Sequence, residues 1–188
     1  HRPAVEAYNF GQFAMMVDVG GGNGALMAEI LKAYPQPTGI VFDLPRVAAA
    51  AQQTIDAGGL GDRCRFIAGD AFETVPGGGD AYVLSNFLVS WADDQAVILL
   101  RNCRKAIAEN GKVLLIEWVM PAGNEPRERF RFFDTVSRDL IMLSVNGSGG
   151  GRVRTRSRFQ DLLATAGFEL TAVIPTRGSI DVIEARPR

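Results

Sequence analysis

The sequence predicts an α/β fold built on a mostly parallel, seven-stranded sheet that finishes in a C-terminal antiparallel hairpin. From residue 15 onward, short apolar runs alternate with amphipathic stretches, the βαβα rhythm of a parallel sheet. Glycines cluster where the first apolar run gives way to the first amphipathic stretch. The last two apolar runs are separated by Arg177-Gly178-Ser179, a connection of hairpin type. With 188 residues, 47% of them hydrophobic, the chain is long enough for one well-packed core and is read as a single domain, 1–188.

The first strand is Met15-Met16-Val17-Asp18-Val19, followed by a helix from Ala25 to Tyr34. The pattern repeats with Gly39-Ile40-Val41-Phe42-Asp43 as strand and Val47 to Ala57 as helix. Further strands are expected at Arg65 to Ala68, Ala81 to Leu84 and Val113 to Glu117. Between the last two lies a helix from about Asp93 to Ala108, stopped by the turn pair Asn110-Gly111. Helical patterns follow at Arg127 to Leu143 and Arg158 to Ala166, and the hairpin strands are Glu169 to Ile174 and Ile180 to Ala185. Gly147-Ser148-Gly149-Gly150-Gly151 reads as a mobile loop.

Lysine and arginine number 20 against 21 aspartates and glutamates, and a net charge of -1 offers no electrostatic footprint for nucleic acid or an anionic membrane. Small molecules are the expected partners. The run Arg152-Val153-Arg154-Thr155-Arg156-Ser157-Arg158 reads as a solvated basic segment. Cys64 and Cys103 lie in apolar surroundings without CxxC spacing, which predicts reduced structural thiols in a cytoplasmic protein. No apolar stretch has membrane-spanning length, and His1-Arg2-Pro3 has no signal-peptide character. His1 is the single histidine, so a histidine-built metal site, a Ser-His-Asp triad or a Cys-His pair within this chain is excluded, and no metal is expected.

The informative motif is Val17-Asp18-Val19-Gly20-Gly21-Gly22-Asn23-Gly24. It puts glycines between the first strand and first helix, where backbone must pass close to a nucleotide-like ligand. Asp43 ends the second strand about twenty residues later, where a carboxylate can accept hydrogen bonds from both ribose hydroxyls. Alone, the glycines suit either of two cofactors, because Gly20-x-Gly22-x-x-Ala25 also satisfies the dinucleotide fingerprint. Ala68-Gly69-Asp70-Ala71-Phe72 after the third strand favours adenosine held by two acids, with Asp70 receiving the adenine amino group beside an apolar wall. The plainer reading of Asp70 is a turn or helix cap.

These motifs, with Phe42-Asp43-Leu44-Pro45, Asn102-Cys103-Arg104-Lys105-Ala106, the strand ending at Glu117, Arg154-Thr155 and Ala166-Gly167-Phe168, make nearly the whole chain resemble the catalytic domain of small-molecule O-methyltransferases. That group contains the caffeate, acetylserotonin and hydroxyneurosporene O-methyltransferases. The resemblance implies a Rossmann-like S-adenosylmethionine-dependent methyltransferase fold, which the antiparallel finish suits better than a dehydrogenase. It implies S-adenosylmethionine as cofactor, with Gly20 and Gly22 along the methionine portion, Asp43 and Leu44 at the ribose, Asp70 and Ala71 at the adenine and Phe72 nearby. Trp91, Asp139 and Met142 match positions near the acceptor pocket, although Trp91 and Met142 also suit a core. The resemblance further implies that the family's N-terminal helical dimerisation domain is absent from this chain, and that the full-length form is a homodimer through it.

The departures lie in Leu84-Ser85-Asn86-Phe87-Leu88-Val89-Ser90-Trp91-Ala92-Asp93. Val89 stands where the family has its catalytic histidine, as in some anthracycline-type members that also lack it. A phenol of pKa about 10 is mostly neutral at pH 7 and valine accepts no proton. Ser85 replaces a lysine beside the cofactor, and Ser90 the acid after the histidine. Of the two carboxylates that bracket that histidine in the family, one remains as Glu117 and the other falls on Val153. Glu117 can orient substrate, act as a weak base, or be an exposed strand-end acid. The leading expectation is O-methylation of a small aromatic or polyketide-like acceptor by proximity alone. The alternatives are non-methylating chemistry such as hydroxylation or decarboxylation, a pseudoenzyme binding module and, more distantly, a nicotinamide dehydrogenase.

Overall fold

The apolar runs become strands buried on both faces, as parallel strands covered by helices must be. In the computed structural model, which describes residues 1–121, 135–141 and 151–188, the first half comprises α1 (Arg2–Ala7), β1 (Met15–Val19), α2 (Ala25–Ala33), β2 (Thr38–Asp43), α3 (Ala48–Ala57), β3 (Cys64–Ala68) and β4 (Ala81–Ser85). The second half comprises α4 (Asp93–Ala106), β5 (Lys112–Met120), a helical stretch α5 over 135–141, β6 (Arg154–Thr155), α6 (Arg156–Thr165), β7 (Phe168–Pro175) and β8 (Ile180–Pro187).

The sheet order is β3-β2-β1-β4-β5-β8-β7, the seven strands expected. β1 to β5 pair in parallel, and β8 is antiparallel to both β5 and β7. A short eighth strand, β6, lies beside the end of β5 at Val119 and Met120. The chain leaves β1 towards β2 and β3, then returns to place β4 on the other side of β1. This reversal opens a crevice at the carboxyl ends of β1 and β4, the usual ligand position in open α/β sheets.

Alternation along the strands divides the core between the two faces. Val17, Val19, Tyr82 and Leu84 pack under α4 and α6 with Leu99, Leu100, Phe159 and Leu163. Met16, Val41, Val83 and Ile116 pack under α1, α2 and α3 with Val5, Leu26, Ile30 and Ile55. Asp94 in the first turn of α4 and Arg104 and Lys105 in its last complement the helix dipole. Cys64 and Cys103 are free and buried, and burial pushes their thiols up to about 11 and about 12. Among the described residues, no helix is long and apolar enough to cross a membrane.

Some boundaries differ from the sequence reading. α4 stops at Ala106 because Ile107 turns to an extended conformation (φ -77°, ψ 142°). β5 runs on to Met120, which places Glu117 inside a strand rather than at its exposed end. The basic run is not a solvated segment throughout: Arg154 lies in β6 with 2% exposure. Of the helix expected over 127–143, residues 135–141 are helical; the remainder, Met142 and residues 147–150 of the glycine-rich loop lie outside the described residues.

Candidate active site

At the end of β1 the chain turns under three left-handed glycines, Gly20 (φ 71°), Gly22 (φ 56°) and Gly24 (φ 75°), before α2 begins at Ala25. Side chains at these angles are strained, so the motif's glycines follow from geometry. The carbonyl of Phe42 in β2 accepts the N–H groups of Gly20 (2.8 Å) and Gly21 (3.3 Å). A Cβ on Gly22 would meet nothing within 4 Å, so the turn is open to the crevice there.

Asp43, at the end of β2, braces this turn. Its Oδ2 accepts the N–H of Gly22 at 2.9 Å and its Oδ1 that of Leu44 at 2.6 Å. An ionised carboxylate retains acceptor capacity beyond these two bonds. Asp70, after β3, accepts the N–H of Phe72 at 2.8 Å through Oδ1, so the capping role engages one oxygen of its carboxylate. From α4, Asn102 donates to the carbonyls of Ala71 and Phe72, both at 2.9 Å, and fixes that segment in place. Asn102 stands in a quoted motif, but its role was not read from it; a lone amide on an apolar helix face is the signal that marks it.

Three aromatic rings stand beside the turn. Phe72 meets Trp91 edge-on at 4.7 Å between centroids, and Phe87 meets Trp91 edge-on at 6.1 Å. Phe87 also covers Gly20, since a Cβ there would fall 2.8 Å from its ring carbons.

The segment carrying Val89 is a tight turn, Leu88–Ser90, held from both sides. The Leu88 N–H donates to Glu117 Oε1 at 2.8 Å, while the Leu88 carbonyl accepts from Arg154 Nη1 at 2.7 Å. Arg154 also donates to the Trp91 carbonyl at 2.6 Å and to Asp93 Oδ1 at 2.8 Å, and Asp93 Oδ2 receives Arg158 Nη2 at 2.6 Å. Burial opposes ionisation of Asp93, but the hydrogen bonds from Arg158 and Arg154 hold its carboxyl below the ordinary value. Glu117 is 1% exposed, which corrects the exposed-acid alternative. Burial pushes its carboxyl up to about 7, against the pull of the Leu88 amide and Arg154 towards the charged form.

Val89 and Val153, the two positions that depart furthest from an acid–base site, pack into one apolar cluster with Trp118 and Met120. Asp139 lies on α5 and accepts the N–H of Val153 at 2.8 Å, bringing α5 to this side of the crevice. Trp91 belongs both to the ring group and to the margin of the core, so its two readings coexist.

Several buried polar atoms have no partner among the described residues: Asp18 Oδ2, Ser85 Oγ, Trp91 Nε1 and Glu117 Oε2. Asp18, Ser85 and Glu117 sit at or near the carboxyl ends of the neighbouring strands β1, β4 and β5. Buried polar groups are nearly always satisfied in native proteins, so exceptions grouped at the carboxyl end of a sheet call for a partner such as water or a ligand. Burial, then the charge of Asp43, pushes the Asp18 carboxyl up to about 7.

Comparison with known proteins places the chain in a family and agrees with its fold. The family model described as the O-methyltransferase domain matches residues 1–169. Phenazine O-methyltransferase PhzM of Lysobacter antibioticus is 42% identical over 183 residues, which are 97% of this chain and 51% of the relative. The crystal structure of LaPhzM superposes with a TM-score of 0.89 at 41% identity, over 98% of this chain and 53% of that one. The O-methyltransferase NcsB1 from neocarzinostatin biosynthesis, solved with S-adenosylmethionine and 2-hydroxy-5-methyl naphthoic acid, gives a TM-score of 0.85 at 33% identity, over 98% of this chain and 52% of that one. The chain thus spans about half the length of the relatives it matches. Matched by that model over residues 1–169, it belongs to the O-methyltransferase domain family.

Proposed function

We propose that this chain is the cofactor-binding, catalytic domain of an S-adenosylmethionine-dependent methyltransferase that transfers methyl to oxygen on a small aromatic or polyketide-like acceptor. The observation that carries the proposal is the open glycine turn braced by Asp43, with unpartnered buried polar atoms around the same sheet edge. The donor set fits an adenosyl cofactor. Asp43 and the Leu44 segment would take the ribose, Asp70 and Ala71 the adenine with Phe72 alongside, and Gly20, Gly22 and Ser85 the methionine end. Bound there, S-adenosylmethionine supplies an electrophilic methyl group on a charged sulfur.

The chain's own contribution is positioning. With valines at 89 and 153 in an apolar cluster, the site supplies no imidazole, and proximity in a dry pocket carries most of the rate. Glu117 fixes the 88–90 turn and, with a carboxyl poised near 7, serves at most as a weak proton acceptor. Trp91 and Asp139 would border the acceptor. An acceptor hydroxyl that ionises near neutral pH suits this site best. The full-length form is proposed to be a cytoplasmic homodimer; the free buried thiols support a reducing setting. The Val89–Val153 cluster also favours a second reading, in which the same cofactor site serves non-methylating chemistry or binding alone.

Calorimetric titration of the chain with S-adenosylmethionine and S-adenosylhomocysteine, with NAD as control and Asp43→Ala alongside, tests the proposal. Saturable binding of both adenosyl compounds, lost in Asp43→Ala and absent for NAD, supports it. A folded chain that binds neither sinks it. Methyl transfer from labelled donor to hydroxynaphthoate or phenazine acceptors then separates the two readings.

A further inference from the structure

We propose that Phe87 is a positioning residue for the methyl donor, holding the positively charged sulfonium against the face of its ring. The inference rests on the methyltransferase reading of the site. Immediately after β4, Asn86 adopts φ 49°, the one positive φ of a non-glycine residue among the described residues, and its N–H donates to the Ile116 carbonyl at 3.0 Å. Asparagine tolerates this region better than most side chains, so the turn is stable without glycine. It directs Phe87 across to the end of β1, where the ring lies against Gly20.

Trp91 meets the same ring edge-on and is itself met edge-on by Phe72, so Phe87 is held between Gly20 and a braced Trp91. The ring is only partly buried, and the glycine turn below it is the segment assigned to the methionine end. A cation over an aromatic face is attracted by the ring quadrupole, and the attraction grows where water is excluded. Ser85, two residues earlier, puts a neutral hydroxyl where the family resemblance places a lysine. That removes a positive charge that would repel a sulfonium at this wall. S-adenosylhomocysteine carries a neutral thioether at the same place, so the ring favours donor over spent product and assists exchange.

The difference in charge supplies the test. S-adenosylmethionine, S-adenosylhomocysteine and sinefungin, whose amine retains a positive charge at that position, are titrated calorimetrically into wild type, Phe87→Leu and Phe87→Tyr. Leucine keeps apolar bulk without a ring. In Phe87→Leu the two charged ligands should weaken about fivefold, on the order of 1 kcal/mol, while S-adenosylhomocysteine changes less than about twofold. Tyrosine should restore the charged ligands. Equal weakening of all three ligands in Phe87→Leu would assign the ring to packing and overturn the proposal, as would no change in any. Wild type binding none of the three would overturn the methyltransferase reading itself, and this inference with it.

Discussion

Replacing Glu117 with glutamine should flatten the pH dependence of folding stability. The carboxyl is buried, with one oxygen on the Leu88 amide and the other unpartnered, and burial lifts it from 4.5 to about 7. Because the folded value is the higher one, the native state favours the neutral acid. The stability tied to this group is fully present below about pH 4.5 and is lost as pH rises through about 7. At about 1.36 kcal/mol per pH unit the whole loss is about 3 kcal/mol, of which about 2–3 kcal/mol falls between pH 5 and pH 8. That is a large fraction of the net stability of a typical domain. Glutamine keeps an acceptor for Leu88 and does not titrate. Urea unfolding at pH 5, 6, 7 and 8 should therefore show Glu117→Gln losing about 2–3 kcal/mol less than wild type across the range. A residual slope remains from Asp18, which burial raises in the same direction. Parallel curves for the two proteins would refute the assignment of a buried, titrating acid at this position.

Arg154→Met should cost about 3 kcal/mol, because it strips the Leu88 and Trp91 carbonyls of their donor and leaves Asp93 with Arg158 alone; a lower urea midpoint at unchanged slope reads this out. Val89→His places an imidazole among Val153, Trp118 and Met120 and should cost about 1–3 kcal/mol. Adding Val153→Glu supplies a partner, so the double variant should be more stable than the sum of the single changes by at least about 0.5 kcal/mol. Additive effects in that cycle would show that the two positions do not act on each other.

The sheet and the glycine turn were legible because both rest on local rules. Val113 to Ile116 is apolar throughout and Met15 to Val19 is apolar except for Asp18, as doubly covered strands require, and Gly20, Gly22 and Gly24 sit where φ must be positive. What escaped the sequence depends on distant partners. Arg154 looks like any residue of a basic run until the carbonyls of Leu88 and Trp91 and the carboxylate of Asp93 converge on it. Glu117 reads as a strand end until its strand is seen to continue to Met120 with Asp181 of β8 opposite. Asn102 holds the segment beside Asp70 through two carbonyls that no helical pattern reveals. Phe87 drew no reading from the sequence because the left-handed turn at Asn86 that aims it is carried by a residue type common in loops.

The Leu88 backbone is gripped on both sides, its N–H by Glu117 and its carbonyl by Arg154. Neither grip involves the side chain of residue 89. The scaffold therefore works as a socket, with its frame defined by backbone and the buried side chains of Glu117 and Arg154 and its contents set by residues 89 and 153. A chemist wishing to install a new proton acceptor, a thiol or a bulkier group in this cluster would redesign residue 89 and its neighbour at 153, leaving the frame untouched.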